Sequence, residues 1–466
     1  MIRVTPLGAA GEVTGSGYLV ETPSASVLVE LGLFQGAAAD EARNADLRPL
    51  DPRALQAVLL THAHIDHSGR LPLLAAAGYR RPVWATPATK ALAEILIQDS
   101  AKLQDEDARR ENRVRRRAGL PEIAPLYGPK EAARLARLVR GLPCDVQREV
   151  APGVRARFFE AGHILGSASL ELALDDAGRE RIVVFSGDLG SPGQPILRDP
   201  VRPARADLVF LESTYGDRNH PPRAESVDAF VEIVRDAARR KARVLVPAFA
   251  VGRTQLLLYH LAEAVRARRV PKRFPIYLDS PTGTRATEVY RRHQELYDEE
   301  TRSLVRSGEI ARDLASLRIV ESAEQSRALN DSGEACVIIA GSGMCDGGRI
   351  RHHLKHNLWR EGTAVVIAGY MAEGTLGRRL AEGERRVEIL GDTIAVRAAI
   401  HVLPGFSAHA GQDELVDWLA DVAPSRPRLA LTHGEEGPRA ALAARVRERY
   451  GLAALLPSRG EPIELR

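Results

Sequence analysis

Apolar and polar positions change rhythm repeatedly along the 466 residues. Up to about residue 56, short apolar stretches alternate with glycine turns (3–7, 17–20 and 26–29), a pattern that predicts a β-meander. From about 89 to 140 the spacing turns helical and rich in Ala, Leu, Glu and Arg, with a break near Gly119, Leu120 and Pro121. Strand-like runs return at 156–159, 169–174 and 181–185, and the proline-rich stretch 195–203 marks a boundary. Beyond it, apolar runs at 207–211, 244–247, 276–278, 335–340 and 364–368 alternate with helical spans such as 226–240 and 254–268. Strands separated by helices of that length predict βαβ units and a largely parallel sheet.

The chemistry concentrates in THAHIDHSGR at 61–70, directly after the apolar run 57–60. Residues two apart at an extended strand end point the same way, so His62 and His64 are placed to grip one ion. The turn that follows aims Asp66 and His67 at a second, adjacent position. Imidazole and carboxylate together suit zinc. A lone histidine is usually a core or surface residue; this density within six positions is the distinguishing signal. Four more segments set a His or Asp among glycines after an apolar stretch: AGHILGS (161–167), FSGDLG (185–190), GFSAH (405–409) and LTHGE (431–435). They add His163, Asp188, His409 and His433. These candidates flank the α/β stretch, so a single site requires the first and last parts of the chain together, with the middle inserted between them.

With ESTYGDR at 212–218, these motifs resemble the β-CASP nucleases of the metallo-β-lactamase fold. That group includes RNase J and the endonuclease subunit of the pre-mRNA cleavage and polyadenylation factor. The resemblance runs nearly end to end, and the chain looks most like the stand-alone prokaryotic relatives of that subunit. It implies an α/β fold: a metallo-β-lactamase αββα sandwich with an inserted β-CASP α/β domain capping the metals. The expected boundaries are 1–204 for the N-terminal part of the sandwich, 205–384 for the insertion and 385–466 for the C-terminal part.

The resemblance also implies two Zn2+ per chain. His62, His64 and His163 would hold the first, Asp66, His67 and His433 the second, and Asp188 would bridge them. Asp66, His409 and Glu212 are the implied catalytic residues, with His409 as general acid for the leaving 3′-oxygen and Glu212 orienting it. Ser342, Arg253, Ser280 and Arg378 are the implied contacts to substrate phosphates. One position departs from the family: where relatives carry aspartate in a segment like LLDCG, residues 28–32 read LVELG. Glu30 is therefore expected to support the metal-binding imidazoles from behind, from a displaced strand or through a water.

The implied function is a zinc-dependent ribonuclease, a hydrolase that cuts phosphodiester bonds of single-stranded RNA by a two-metal hydroxide mechanism, in RNA processing or decay. The alternatives are a DNA nuclease of the Artemis-like branch and a small-molecule hydrolase on the same fold. His433 stands where the DNA branch usually has valine, and Glu212 with His409 argues against the small-molecule enzyme. Endonucleolytic and 5′-exonucleolytic modes both stay open, as does a homodimer.

Composition changes this picture little. The net charge is +4 and the pI about 9.0, with 6 lysines against 59 arginines. Arginine recognises phosphate bidentately, but an Arg bias spread over the whole chain is better read as the mark of a GC-rich genome. The run RRENRVRRR at 109–117 holds six arginines in nine residues and reads either as an RNA-contacting patch or as a solvated helix face. Cys144, Cys336 and Cys345 show no paired spacing, which fits a reducing cytoplasm. No signal pattern opens the chain, and no apolar run approaches the ~20 residues of a membrane span, so a cytoplasmic protein without a membrane partner is expected. His352, His353 and His356 cluster after a glycine-rich loop, and surface or channel positions are expected for them.

Overall fold

The computed structural model describes residues 1–36, 42–369, 371 and 374–465. The chain divides into two compact units. One comprises Met1–Gly193, Asp199–Asn219 and His409–Arg466; the other comprises Gln194–Arg198 and His220–Ala408.

The first unit is built on two seven-stranded sheets. One runs in the order Ile463–Leu465, Ile2–Gly8, Gly17–Glu21, Ser26–Val29, Ala57–Leu59, Val83–Ala85, Val139–Gly141. The expected meander forms its antiparallel part, and the strands from Ser26–Val29 onward pair in parallel. The other sheet runs Ala454–Leu455, Arg428–Thr432, Leu208–Glu212, Arg179–Phe185, Ala168–Asp176, Val154–Glu160, Arg148–Ala151.

Alternate side chains from both sheets, including Val4, Val20, Leu59, Phe158, Leu170, Phe185 and Phe210, fuse into one buried core, the packing of a β-sandwich. Each such Leu or Phe contributes about 1.5–3 kcal/mol relative to exposure. The other face of the second sheet, through Val209, Leu211, Leu429 and Leu431, packs on the helices Gln412–Trp418 and Glu436–Tyr450 by way of Leu415, Trp418, Leu442 and Val446. Helices Leu71–Ala76, Pro87–Arg117 and Pro129–Ala136 accompany the first sheet, giving αββα layering. The longest of them starts where Thr86 Oγ1 accepts from Thr89 N at 3.2 Å, with proline in its first turn.

The second unit holds a six-stranded sheet in the order Leu317–Ile319, Ile276–Asp279, Val337–Ala340, Val244–Pro247, Ala364–Ile367, Ala399–Val402. Every pairing in it is parallel. Its central strands are buried on both faces by separate apolar clusters, as a sheet flanked by crossover helices requires. The α/β reading of this stretch therefore holds.

The expected boundaries are displaced. Leu208–Glu212, expected in the insertion, pairs in parallel with Arg179–Phe185 and with Arg428–Thr432 in the sandwich. Arg386–Ile389, Asp392–Ala395 and Ala399–Val402, expected in the sandwich, belong to the second unit, where Ala399–Val402 extends the parallel sheet. An apolar run carries strand propensity but does not encode which strand it will join. Among the described residues, no helix is long and apolar enough to cross a membrane.

Candidate metal centre

All seven metal candidates, with Glu212 and His409, lie in the first unit. His62 leaves the carboxyl end of the buried strand Ala57–Leu59, and the chain then turns through the short helix Ile65–Ser68. Gly32 clamps that turn: a Cβ there would lie 1.5 Å from Asp66 O. The flanking amides of Leu31 and Leu33 instead donate to His67 O and Ile65 O at 3.0 and 2.9 Å. Only a residue without a side chain admits so close an approach. The loops of His163 and Asp188 lock in the same way. Gly190 N donates to Ala161 O at 2.8 Å, and Ser167 Oγ accepts from the amide of His163 at 3.0 Å.

Two groups of donors result. His62, His64 and His163 gather with Asp188, and Asp66, His67 and His433 form a second set, with the donor atoms of each lying within 4.8 Å of one another. Asp188 straddles both. Its Oδ2 lies 3.4 Å from His62 Nε2 and 3.5 Å from His163 Nε2, while Oδ1 lies 3.3 Å from His67 Nε2 and 3.6 Å from His433 Nε2. Ring nitrogens converge within each group: His163 Nε2 and His64 Nδ1 are 3.2 Å apart, and the Nε2 atoms of His67 and His433 are 3.0 Å apart.

The outward nitrogens are engaged by residues of which the sequence marked only Glu30. Thr61 Oγ1 donates to Glu30 Oε1 and lies 3.1 Å from His62 Nδ1. Ser16 Oγ donates to Glu30 Oε2 at 2.6 Å, and that oxygen lies 2.9 Å from His67 Nδ1. This last contact is off the line of an ideal hydrogen bond, so its effect is chiefly electrostatic. Thr214 Oγ1 donates to His433 O at 3.2 Å and lies 3.1 Å from His433 Nδ1. With Nδ1–H turned outward in each case, the Nε2 lone pairs point inward. Thr61 and Thr214 lie within the motifs at 61–70 and 212–218, which is the signal that marks them; Ser16 carries none.

Electrostatics favour a cation at this place. Burial, helped by neighbouring imidazoles, lowers His62, brings His64 down to about 3 and holds His163 well below the usual range, so all three are neutral, ligand-competent rings. His67 goes the other way. Burial opposes its charge, but Asp188, Glu30 and Asp66 outweigh that and hold it well above its ordinary value. Asp188 is kept well below the carboxylate range, against burial, by His433, His67 and His62. Among the described residues, His62 Nε2 and Asp188 Oδ1 are buried without a hydrogen-bond partner. Neutral imidazoles, converging carboxylates and orphaned donor atoms fit a zinc-type ion.

Beside this set, His409 Nδ1 lies 3.1 Å from Glu212 Oε1, and His409 Nε2 is 3.9 Å from Asp188 Oδ2. Glu212, 1 % exposed, ends a buried strand and also accepts from Leu189 N at 2.8 Å. Burial works against a charged His409, but Glu212 and then Asp188 outweigh it and push the imidazole up to about 9.

The phosphate-contact candidates all lie in the second unit. Ser280 caps the helix Pro281–Arg292 by accepting from Gly283 N at 3.0 Å, and Ser342 Oγ accepts from Gly347 N at 3.1 Å. Arg253 is buried at the start of its helix, packed against Gly369. Arg378 is half exposed and ion-paired with Glu382 at 2.6 Å.

The arginine cluster lies on an exposed helix surface. Arg109 pairs with Asp105 and Arg116 with Glu122, at 2.8 and 2.9 Å, while Arg110 pairs with Asp107 and Arg115 sits 3.8 Å from Glu111. These local pairs match the solvated helix face. His353 departs from expectation: it is fully buried, 2.6 Å from Asp279 and 2.9 Å from Asn330, whereas His352 and His356 are exposed. All three cysteines are free.

The Metallo-beta-lactamase superfamily profile matches residues 10–248, the Beta-Casp domain 254–380, and the Zn-dependent metallo-hydrolase RNA specificity domain 393–457. A protein named Ribonuclease TTHA0252 from Thermus thermophilus is 41% identical over 464 residues, covering 100% of this chain and 98% of that one. A transcription termination factor FttA from Thermococcus kodakarensis is 31% identical over 482 residues, covering 100% of this chain and 72% of the relative. A crystal structure of an Enterococcus faecalis protein of unknown function matches with a TM-score of 0.55 at 14% identity, over 100% of both chains, a likeness of fold alone. The chain belongs to the metallo-beta-lactamase superfamily, among the zinc-dependent metallo-hydrolases that combine a Beta-Casp domain with an RNA specificity domain.

Proposed function

We propose that this protein is a zinc-dependent ribonuclease that hydrolyses phosphodiester bonds of single-stranded RNA in processing, decay or termination. The observation that carries this reading is the straddling carboxylate of Asp188, with one oxygen turned to each group of histidines. The ribonuclease from Thermus thermophilus, alike over nearly the whole of both chains, supports the activity, and the match at 393–457 supports RNA as substrate. The relatives named transcription termination factors add termination to the settings in which such cleavage serves.

His62, His64 and His163 would hold one zinc, Asp66, His67 and His433 a second, and Asp188 would stand between them. When bound, zinc supplies Lewis-acid stabilisation of a phosphoryl group and acidifies water for attack near neutral pH. The chain's own residues do the rest. Glu30, Thr61 and Thr214 fix the outward nitrogens of three imidazoles. Glu212 holds His409 by Nδ1 and keeps a proton available at Nε2, from which His409 protonates the leaving 3′-oxygen. Ser342, Ser280, Arg253 and Arg378 contact phosphates along the strand. The free cysteines fit a reducing cytoplasm.

The experiment is incubation of the purified protein with 5′-labelled single-stranded RNA and with DNA of the same sequence, with and without chelator. RNA is cut, the chelator stops cleavage and zinc restores it. Cleavage of DNA alone transfers the protein to the DNA-nuclease alternative, and cleavage of neither removes the nuclease reading.

A further inference from the structure

The register of the second unit's sheet sets Asp279, Ala340 and Pro247 side by side at the carboxyl ends of three adjacent parallel strands. Just beyond them come Ser280, the loop 341–343, and Ala248 with Phe249. Open parallel sheets take up ligands along this edge. The helices Arg253–Arg266 and Pro281–Arg292 also begin here, each with the partial positive charge of its N-terminus.

Phe249 is 39% exposed, although the strand it follows, Val244–Pro247, is buried throughout. Its ring has a rigid seat. A Cβ on Gly343 would lie 2.5 Å from Phe249 Cδ2 and 2.7 Å from Cε2, so the ring rests directly on the Gly343 backbone. The main chain is held as well, because Phe249 O accepts from Thr254 N at 3.3 Å and from Thr254 Oγ1 at 2.7 Å. The polar side chain of Ser280 closes the same edge, its Oγ 3.6 Å from where a Cβ on Gly341 would stand.

We propose that Phe249 is a stacking platform for one base of single-stranded RNA. The inference rests on the ribonuclease reading and adds to it a contact that takes the base rather than the phosphate. Every base has a π-face, so an exposed aromatic ring binds a single strand with little regard to sequence. A ring already immobilised against the Gly343 backbone loses little conformational freedom on binding. Stacking is needed to hold the strand and not to break the bond, so the effect falls on KM.

The test uses the full chain with zinc and a series of single-stranded RNA oligonucleotides. Phe249→Ala and Phe249→Leu raise KM by roughly 5- to 150-fold, with kcat changed by no more than about twofold. Phe249→Trp stays near wild type, and Gly343→Ala, which unseats the ring without removing it, falls between. In the wild type, an abasic site at one position of the strand reproduces the KM increase, and that penalty disappears in Phe249→Leu. The leucine variant keeps an apolar side chain of similar bulk should the alanine variant fail to fold. A Phe249→Leu enzyme with wild-type KM, or an abasic penalty unchanged in that variant, overturns the platform while the ribonuclease reading stands. A wild-type protein that cuts no RNA removes both.

Discussion

Glu30 Oε2 lies 2.9 Å from His67 Nδ1, while its other oxygen accepts from Thr61, whose Oγ1 is 3.1 Å from His62 Nδ1. One carboxylate thus reaches an imidazole of each donor group, one directly and one through a hydroxyl. Glu30 sits at φ +61° and is 2% exposed, directly after the strand Ser26–Val29, and its carboxylate reaches His67 Nδ1 at 2.9 Å. Where the family resemblance implies an aspartate, the longer glutamate keeps its carboxylate against the site.

Glu30→Ala therefore lowers zinc affinity by about 10- to 100-fold, while Glu30→Asp has a modest effect. Thr61→Val weakens the His62 group and spares the His67 group. Competition of the purified variants against a chelator of known affinity measures this. A Glu30→Ala protein with wild-type zinc affinity and rate would leave the carboxylate without a role.

Removing metal abolishes RNA cleavage, and adding zinc restores it. Elemental analysis of the active protein finds close to two zinc per chain, one for each histidine group facing Asp188. Full-rate cleavage by metal-free protein contradicts the mechanism.

His409→Ala retains zinc but loses about 10²–10⁴-fold in rate, the contribution of a general acid. His433→Ala instead lowers occupancy of the second metal, because His433 Nε2 faces Asp66 and Asp188, both at 3.6 Å. Equal metal loss in the two variants means that these roles are wrongly divided.

Asp279 offers a pH test away from the metal centre. Burial raises its pKa, but hydrogen bonds from His353, Ser326 and Arg349 outweigh that and hold it below its ordinary value. A depressed folded-state value means that the carboxylate stabilises the fold in full above its unfolded value of about 4 and loses that contribution as pH falls through the folded value. Asp279→Asn costs about 3–5 kcal/mol near neutral pH, since it breaks a buried charged network. Denaturation midpoints of variant and wild type converge as the solution is acidified. A gap independent of pH refutes the assignment.

Replacing Arg109, Arg110, Arg115 and Arg116 by glutamine leaves the salt dependence of RNA binding unchanged, because each already has a carboxylate neighbour on its own surface. Loss of about 0.7 in the log–log slope per residue is the signature of a phosphate contact to a single strand, and its appearance would return the cluster to the RNA path.

The sequence by itself determined the elements whose signals are local. His62, His64, Asp66 and His67 fall within one strand end and one turn, so their spacing already states which side chains share a side. The alternation of apolar runs and helices likewise foretells a parallel sheet in the second unit. Tertiary structure alone decided the rest. Leu208–Glu212, which reads simply as an apolar run, joins the sandwich, and Ala399–Val402 joins the inserted sheet. Asp188 faces two histidine groups because the packing of the two sheets against each other brings residue 433 to the side of 67. Ser16 and Glu30 meet across neighbouring strands, and His353 is buried because Asp279 and Asn330 surround it. Periodicity records only which face of an element is apolar; the partner that covers that face, and the hydrogen bonds made across it, follow from packing between segments far apart in the chain.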